Sequence, residues 1–153
     1  MKRTLLVAVL LFSAAVAAAP AAGVAAESAG VEANKRVVLD FYEKVINQKD
    51  VDAALADIGP RYIQHNPFLG DGIEGLRDAI GYMKVSFPRS HSDIRAVFAD
   101  GDFVILHVHA VREPGTRGSA VVDIFRLENG RIVEHWDVAQ PIPDGPANNN
   151  TMF

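Results

Sequence analysis

A chain of 153 residues and 16.5 kDa has room for one domain of ordinary size and little more. It holds no cysteine, which excludes a disulfide scaffold, a thiolate zinc site and a thiol nucleophile. Its 15 Lys and Arg against 19 Asp and Glu give a net charge of −4 with no basic cluster, which argues against nucleic acid or anionic lipid as a partner.

The first element is an expected export signal over residues 1–26. Lys2-Arg3 precedes an apolar run from Leu5 to Ala19, and small residues follow. The run is shorter than the ~20 residues that span a bilayer as a helix. Val24-Ala25-Ala26 offers small residues at both recognition positions, so cleavage is expected after Ala26. The expected product is an exported protein, periplasmic or secreted, that keeps no membrane segment. Residues 27–153 then carry 13 basic and 19 acidic side chains, a net −6.

The body divides into helices first and strands afterwards. Residues about 29–47 place Val37, Val38, Phe41, Tyr42, Val45 and Ile46 on one helical stripe, with Lys35, Arg36, Asp40, Glu43 and Lys44 opposite. A short helix near 50–57 follows, capped by Asp50 and ended by Gly59-Pro60. Tyr62-Ile63-Gln64-His65 reads as a short extended piece stopped by Asn66-Pro67. Asp71 and Glu74 have the spacing of a capping box, and the helix they open buries Ile73, Leu76, Ile80, Met83 and Phe87 before Pro88.

Beyond Pro88 the period becomes twofold. Strands are expected at about 92–99, 102–113, 118–127 and 131–140, separated by Asp100-Gly101, Glu113-Pro114-Gly115 and Glu128-Asn129-Gly130. Four strands on short turns imply a curled antiparallel sheet with the helices across one face, an α+β domain over 27–140. Residues 141–153 read as an irregular C-terminal tail.

Histidines and aspartates sit among large apolar residues on alternate positions. These are His107 and His109 beside Phe103, Ile105 and Val111; Asp123 beside Val121, Phe125 and Leu127; and His135 and Asp137 beside Val133 and Ala139. Polar groups on an apolar face must be satisfied by one another or by a ligand. The last turn decides whether the faces coincide. A two-residue Asn129-Gly130 turn would set Asp123 opposite Trp136. A three-residue loop with Gly130 in a bulge would set Phe125 opposite Val133, Asp123 opposite His135 and Val121 opposite Asp137. The second joins acid to base, and it is the expected register.

Three segments, Tyr62-Ile-Gln-His-Asn-Pro67, the Gly72/Gly75 helix start, and Asp123-Ile-Phe-Arg-Leu-Glu-Asn-Gly-Arg-Ile-Val-Glu-His-Trp-Asp137, resemble the SnoaL-like family of the nuclear transport factor 2-like superfamily. The resemblance covers about residues 33–140. The ending, Gln140-Pro141 with an Asn-rich Thr151-Met152-Phe153 terminus, resembles a subgroup of predicted aldol-condensation enzymes. The resemblance implies a cone-shaped fold with a deep apolar pocket and often a dimer through the sheet. It also implies that Asp137 matches the acid/base aspartate of polyketide cyclases, His135 their neighbouring histidine and Asn66 a pocket asparagine. Asp123 stands where those cyclases have histidine, and Val121 where they have glutamine, which changes the charge around a substrate.

The expectation is therefore an enzyme that needs no cofactor and no metal and moves protons on a small apolar carbonyl compound. Asp137, His135 and Asp123 are its expected catalytic residues. His65, Asn66, His107 and Trp136 are the expected substrate contacts, with packing as the other role open to Trp136. A non-catalytic binding module is the alternative. A metal enzyme is the third reading, since Gly101-x5-His107-x-His109-x3-Glu113 matches a cupin metal motif as far as its closing glycine, where Ala120 stands; His107, His109 and Asp123 would be its ligands. Ala120, Val122 and Ile124 make the other sheet face apolar as well, which points to a homodimer.

Overall fold

The computed structural model describes residues 21–153, with side chains from residue 29 onward; most of the expected signal, residues 1–20, lies outside the described residues. Among the described residues no helix is long and apolar enough to cross a membrane. Helix α1, Ala21–Tyr42, starts earlier than the periodicity predicts, and its end widens into a π-helical turn over Glu43–Asn47. There the Gln48 N–H reaches back five residues to the Glu43 carbonyl at 2.9 Å. Val38, Phe41, Tyr42 and Val45 form the expected buried stripe. The segment near 50–57 is a 3-10 helix, Asp52–Asp57, and Asp50 Oδ1 accepts the Ala53 N–H at 3.0 Å.

Gly59-Pro60 does not break the chain as expected but lies inside β1, Ile58–Gln64. Proline is tolerated because β1 is an edge strand, paired only with β5. Helix α2, Gly72–Ser86, follows, and Leu76 and Ile80 are buried from it. Asp71 precedes α2 without capping it through its side chain. Its Oδ1 instead accepts the Gln64 N–H at 2.9 Å, a donor that the sheet edge leaves unpaired. Gly75 is required by close approach: a Cβ there would lie 2.0 Å from the Gly70 carbonyl oxygen.

The remaining strands are β2 (His91–Asp100), β3 (Phe103–Val111), β4 (Ser119–Glu128) and β5 (Arg131–Pro141). The sheet order is β1-β5-β4-β3-β2. The four later strands form the expected antiparallel meander, and β1 adds a parallel pairing to β5, so the sheet is mixed. The fold is α+β. Its core lies between the helices and the inner sheet face, where Val104, Leu106, Val108, Phe125, Leu127 and Ile132 are buried.

Two expectations about register are corrected. Glu128 pairs with Arg131 across a two-residue turn, in which Asn129 (φ 52°) and Gly130 (φ 72°) are both left-handed as a type I′ turn requires. A bulge at Val133 then inserts one residue, so Phe125 faces His135 and Asp123 faces Asp137. Two turn residues plus one bulge residue preserve the parity of the expected loop. Asp123, His135 and Asp137 therefore still share a face, although the pairing differs. The second correction concerns β3. Leu106 pairs with Asp123 and Val108 with Val121, so even-numbered β3 residues face inward and His107 and His109 face out.

Candidate functional site

A cavity of about 360 Å³ opens between the helices and the inner face. Phe41, Val45, Leu76, Ile80, Met83 and Phe125 give it an apolar wall, while Asp123, His135 and Asp137 project from β4 and β5. Such a volume lies at the small end of the range for small-molecule sites. The strand pleat places the three polar side chains together, and their position between the sheet and the α1 stripe makes Asp123 and His135 buried.

Hydrogen bonds specify how His135 is held. Gln64 Oε1 accepts the Asn66 backbone N–H at 2.9 Å, which fixes the orientation of that amide. The same oxygen lies 3.2 Å from His135 Nδ1, so Nδ1 carries a hydrogen. His135 Nε2 lies 3.1 Å from Asp123 Oδ1. One proton is shared across that contact, as an imidazolium facing a carboxylate or as a carboxylic acid donating to the ring. The Tyr42 hydroxyl donates to Asp123 Oδ2 at 3.2 Å and completes the chain Tyr42–Asp123–His135–Gln64. The contact expected between Asp123 and His135 is present, and it occupies both ring nitrogens of His135 with protein partners.

Asp137 stands beside this chain with a different partner. Asn66 Nδ2 donates to Asp137 Oδ1 at 2.6 Å, and Asn66 Oδ1 accepts the Phe68 N–H at 2.9 Å. The Asn66-Pro67 turn thus aims the amide at the carboxylate, as an Asx turn does. Tyr62 lines the cavity too, and its hydroxyl receives a long contact from Gln64 Nε2 at 3.5 Å. Burial first, then the charges of Asp123 and Asp137, pushes the Tyr62 phenol above the ordinary tyrosine range; burial and Asp123 do the same to Tyr42. Both phenols remain hydrogen-bond donors at any ordinary pH.

Of the residues expected to meet a substrate, Asn66 is in the cavity and three are not. His65 turns to the outer face and stacks on Trp136, with ring centroids 4.3 Å apart and planes within 3°. His65 Nε2 also lies 3.6 Å from Glu134, which Arg126 holds ionised below the usual carboxylate range. His107 and His109 pack on Phe153 of the tail, at centroid distances of 5.2 and 4.9 Å. The cause is strand alternation: each of the three outward residues in β3 and β5 sits one position away from an inward one.

The cupin-like ligand set is not assembled, because His107 and His109 lie across the sheet from Asp123. Among the described residues the group that could meet a cation is Asp123, His135 and Asp137, each offering one ligand atom within 4.8 Å of the others. A cation there would have to replace the Asp123–His135 hydrogen bond. Tyr42, Tyr62 and Gln64 belong to the site and escaped the sequence reading. Tyr42 and Tyr62 resemble core aromatics, and Gln64 becomes visible only through β1–β5 pairing.

The comparisons with known proteins agree with this architecture. Residues 38–135 match the model of the SnoaL-like domain. Among solved structures, TsrD from Streptomyces laurentii superposes with a TM-score of 0.58 at 21% identity, covering 70% of this chain and 88% of that one. IdmH from Streptomyces antibioticus, described as a "putative polyketide cyclase", gives 0.57 at 20% identity, with 69% and 91% covered. An uncharacterised cystatin-fold protein from Novosphingobium aromaticivorans gives 0.60 at 20% identity, with 69% and 97% covered. At these identities the likeness concerns the fold. Among curated proteins none matches the chain.

Proposed function

The chain belongs to the SnoaL-like domain family, and from that premise we propose that it is a cofactor-free acid–base enzyme acting on a small carbonyl compound, of the aldol, cyclase or isomerase type. The observation that supports this most is the pairing of a cavity carboxylate with buried neutral donors. Asp137 is oriented through Oδ1 by Asn66, and two phenols kept protonated by burial stand nearby.

In this reading Asp137 takes a proton from the carbon next to the substrate carbonyl. The Tyr62 hydroxyl donates a hydrogen bond to the carbonyl oxygen as negative charge develops there. The electron pair left on carbon either attacks a second carbonyl carbon, forming a carbon–carbon bond while the C=O π pair moves onto that oxygen and takes the proton back from Asp137, or is reprotonated by Asp137 at another position. The Tyr42–Asp123–His135–Gln64 chain holds the pocket floor in shape beside Asp137, so Asp123 and His135 act as positioning groups. The polyketide cyclase descriptions of fold relatives are compatible with this class of reaction, and Asp123 in place of the cyclase histidine points to a smaller, differently charged substrate.

The reading includes export, with cleavage after Ala26 leaving Glu27 as the first residue, which N-terminal sequencing of exported protein reads directly. It also includes a homodimer through the outer face, where Phe98, Phe103 and Val138 are exposed around Trp136 and Ile124.

Proton–deuterium exchange on β-keto and α,β-unsaturated carbonyl compounds tests the chemistry. Asp137→Asn keeps the shape and removes the base, so exchange is expected to fall about 10²-fold or more with folding retained. Exchange undiminished in that variant sinks the mechanism. Ligand affinity without exchange in the unmodified protein marks a binding module instead.

A further inference from the structure

The Asn66 side chain is bound at both of its polar atoms, and the two bonds lead to different places. Nδ2 donates to Asp137 Oδ1 at 2.6 Å, and Oδ1 accepts the Phe68 N–H at 2.9 Å in the turn that follows β1. That turn runs Asn66-Pro67-Phe68-Leu69 and is closed by the Leu69 N–H, which donates to the Asn66 carbonyl at 3.2 Å. Pro67 fixes the second position, so Phe68 stands at the tip.

Asn66, Phe68 and Leu69 all line the cavity, yet Phe68 is 92% exposed, more than any other large apolar side chain among the described residues. The turn therefore borders the cavity while its ring stands in solvent. A single exposed apolar side chain means little by itself. This one is set apart by how the turn is mounted. Its first residue is fixed a second time, since the Asn66 N–H donates to Gln64 Oε1 at 2.9 Å. Its far end rests on α2, where a Cβ on Gly70 would lie 3.0 Å from the Gly75 Cα. Between these anchors Pro67, Phe68 and Leu69 carry only apolar side chains. Two residues of chain span at most about 7 Å, so Phe68 stays within side-chain reach of a ligand that meets Asp137 beside Asn66. An exposed ring changes rotamer in picoseconds to nanoseconds. It gains apolar burial when an apolar ligand fills the cavity it borders.

We propose that Phe68 is a specificity residue of this cavity, whose ring turns over a bound ketone and packs on the apolar group next to the carbonyl. The same closure excludes water from Asp137. One amide holds both the turn and Asp137, so a ligand that draws the ring inward also steadies the carboxylate. The ligand class is a ketone with a bulky apolar group directly on the carbonyl carbon. The closure rests on the proposed reaction only in placing that carbonyl at Asp137.

The test compares propiophenone with butan-2-one, which share an ethyl ketone half and differ in phenyl against methyl. In NMR titrations of the full-length protein, Phe68→Ala is expected to weaken propiophenone about tenfold or more and butan-2-one by less than about twofold. Phe68→Leu should fall between Phe68→Ala and the unmodified protein. Neither variant should lower the melting temperature, because the ring it removes is exposed. Chymotrypsin reads the ring directly. It should cut the free protein between Phe68 and Leu69, identified by fragment mass, and saturating propiophenone should slow that cut about fivefold or more. Asn66→Ala releases the turn from Asp137 and should keep the cut while losing most of the protection; protection intact in this variant overturns the coupling. No propiophenone binding at about millimolar concentration, equal weakening of the two ketones in Phe68→Ala, or a cut left unprotected at saturation overturns the closure. Protection that grows with protein concentration without ligand makes Phe68 a contact between copies and overturns it too. Neither readout needs turnover. Exchange lost in Asp137→Asn with the cut unprotected in the unmodified protein rejects the closure alone. Exchange undiminished in Asp137→Asn with protection and the Phe68→Ala effect retained rejects the reaction alone.

Discussion

The two faces of the sheet carry similar residues and do different things. The inner face holds His135 between Asp123 and Gln64, with Tyr42 completing the chain and Asp137 alongside. The outer face holds His65, His107 and His109, each against an aromatic ring. Histidines on both faces alternate with large apolar residues, so residue type does not separate them. What separates them is the layer opposite. Helix α1 and the end of β1 bring hydrogen-bonding groups to the inner face, whereas the tail brings Phe153 to the outer one. A polar side chain becomes part of a site when a second element supplies partners that fix its proton and its direction.

The sharpest way to break that contrast is to remove the group on which the inner chain converges. Asp123→Ala leaves His135 Nε2 and the Tyr42 hydroxyl buried without the partner they share. The expected loss is about 2–3 kcal/mol in urea unfolding. Asp123→Asn keeps an acceptor oxygen and should lose clearly less. Removing His107 from the outer face should show nothing of this size, because its neighbour there is the Phe153 ring rather than a donor or acceptor.

The outer face is sharpened by a charge. Val138 is 68% exposed beside Trp136, so Val138→Glu should leave the subunit folded, within about 0.5 kcal/mol. In the proposed dimer it places a charge from each subunit on the face that pairs. Light scattering at micromolar concentration should read a dimer for the unmodified protein and a monomer for the variant. A monomeric mass for both removes the dimer from the reading.

How much of this was legible in the sequence follows from the same contrast. The strand boundaries and the sharing of one face by Asp123, His135 and Asp137 were visible, because polar residues recurred at every second position beside Phe125 and Val133. Their pairing was not, since the Val133 bulge replaces the expected longer loop without altering alternation. The orientation of β3 was hidden for another reason. Val104, Leu106 and Val108 on one side and Phe103 and Ile105 on the other are all apolar, so alternation could not say which row faced the core. Gln64 and Tyr62 entered the site through the parallel pairing of β1 with β5, a contact between segments about 70 residues apart that no local pattern encodes.

The smallest expected effect is also the one that separates the sequence motif from the site. His107 occupies the first histidine position of the cupin-like spacing, yet it packs on Phe153 on the outer face, while its neighbour Leu106 is the residue paired with Asp123. In His107→Gln the ring–ring contact is lost and a flexible amide takes its place near the surface, which should change stability by no more than about 0.5 kcal/mol. Exchange activity should stay within about twofold of the unmodified protein, because His107 packs on the sheet face opposite Asp137 and away from its partner Asn66. Zinc added to either protein should leave the ratio of their activities unchanged. A metal-dependent enzyme built on His107 and His109 predicts the opposite, an exchange rate that collapses in His107→Gln and answers to zinc. That outcome would transfer the chemistry to the face on which this structure places only packing.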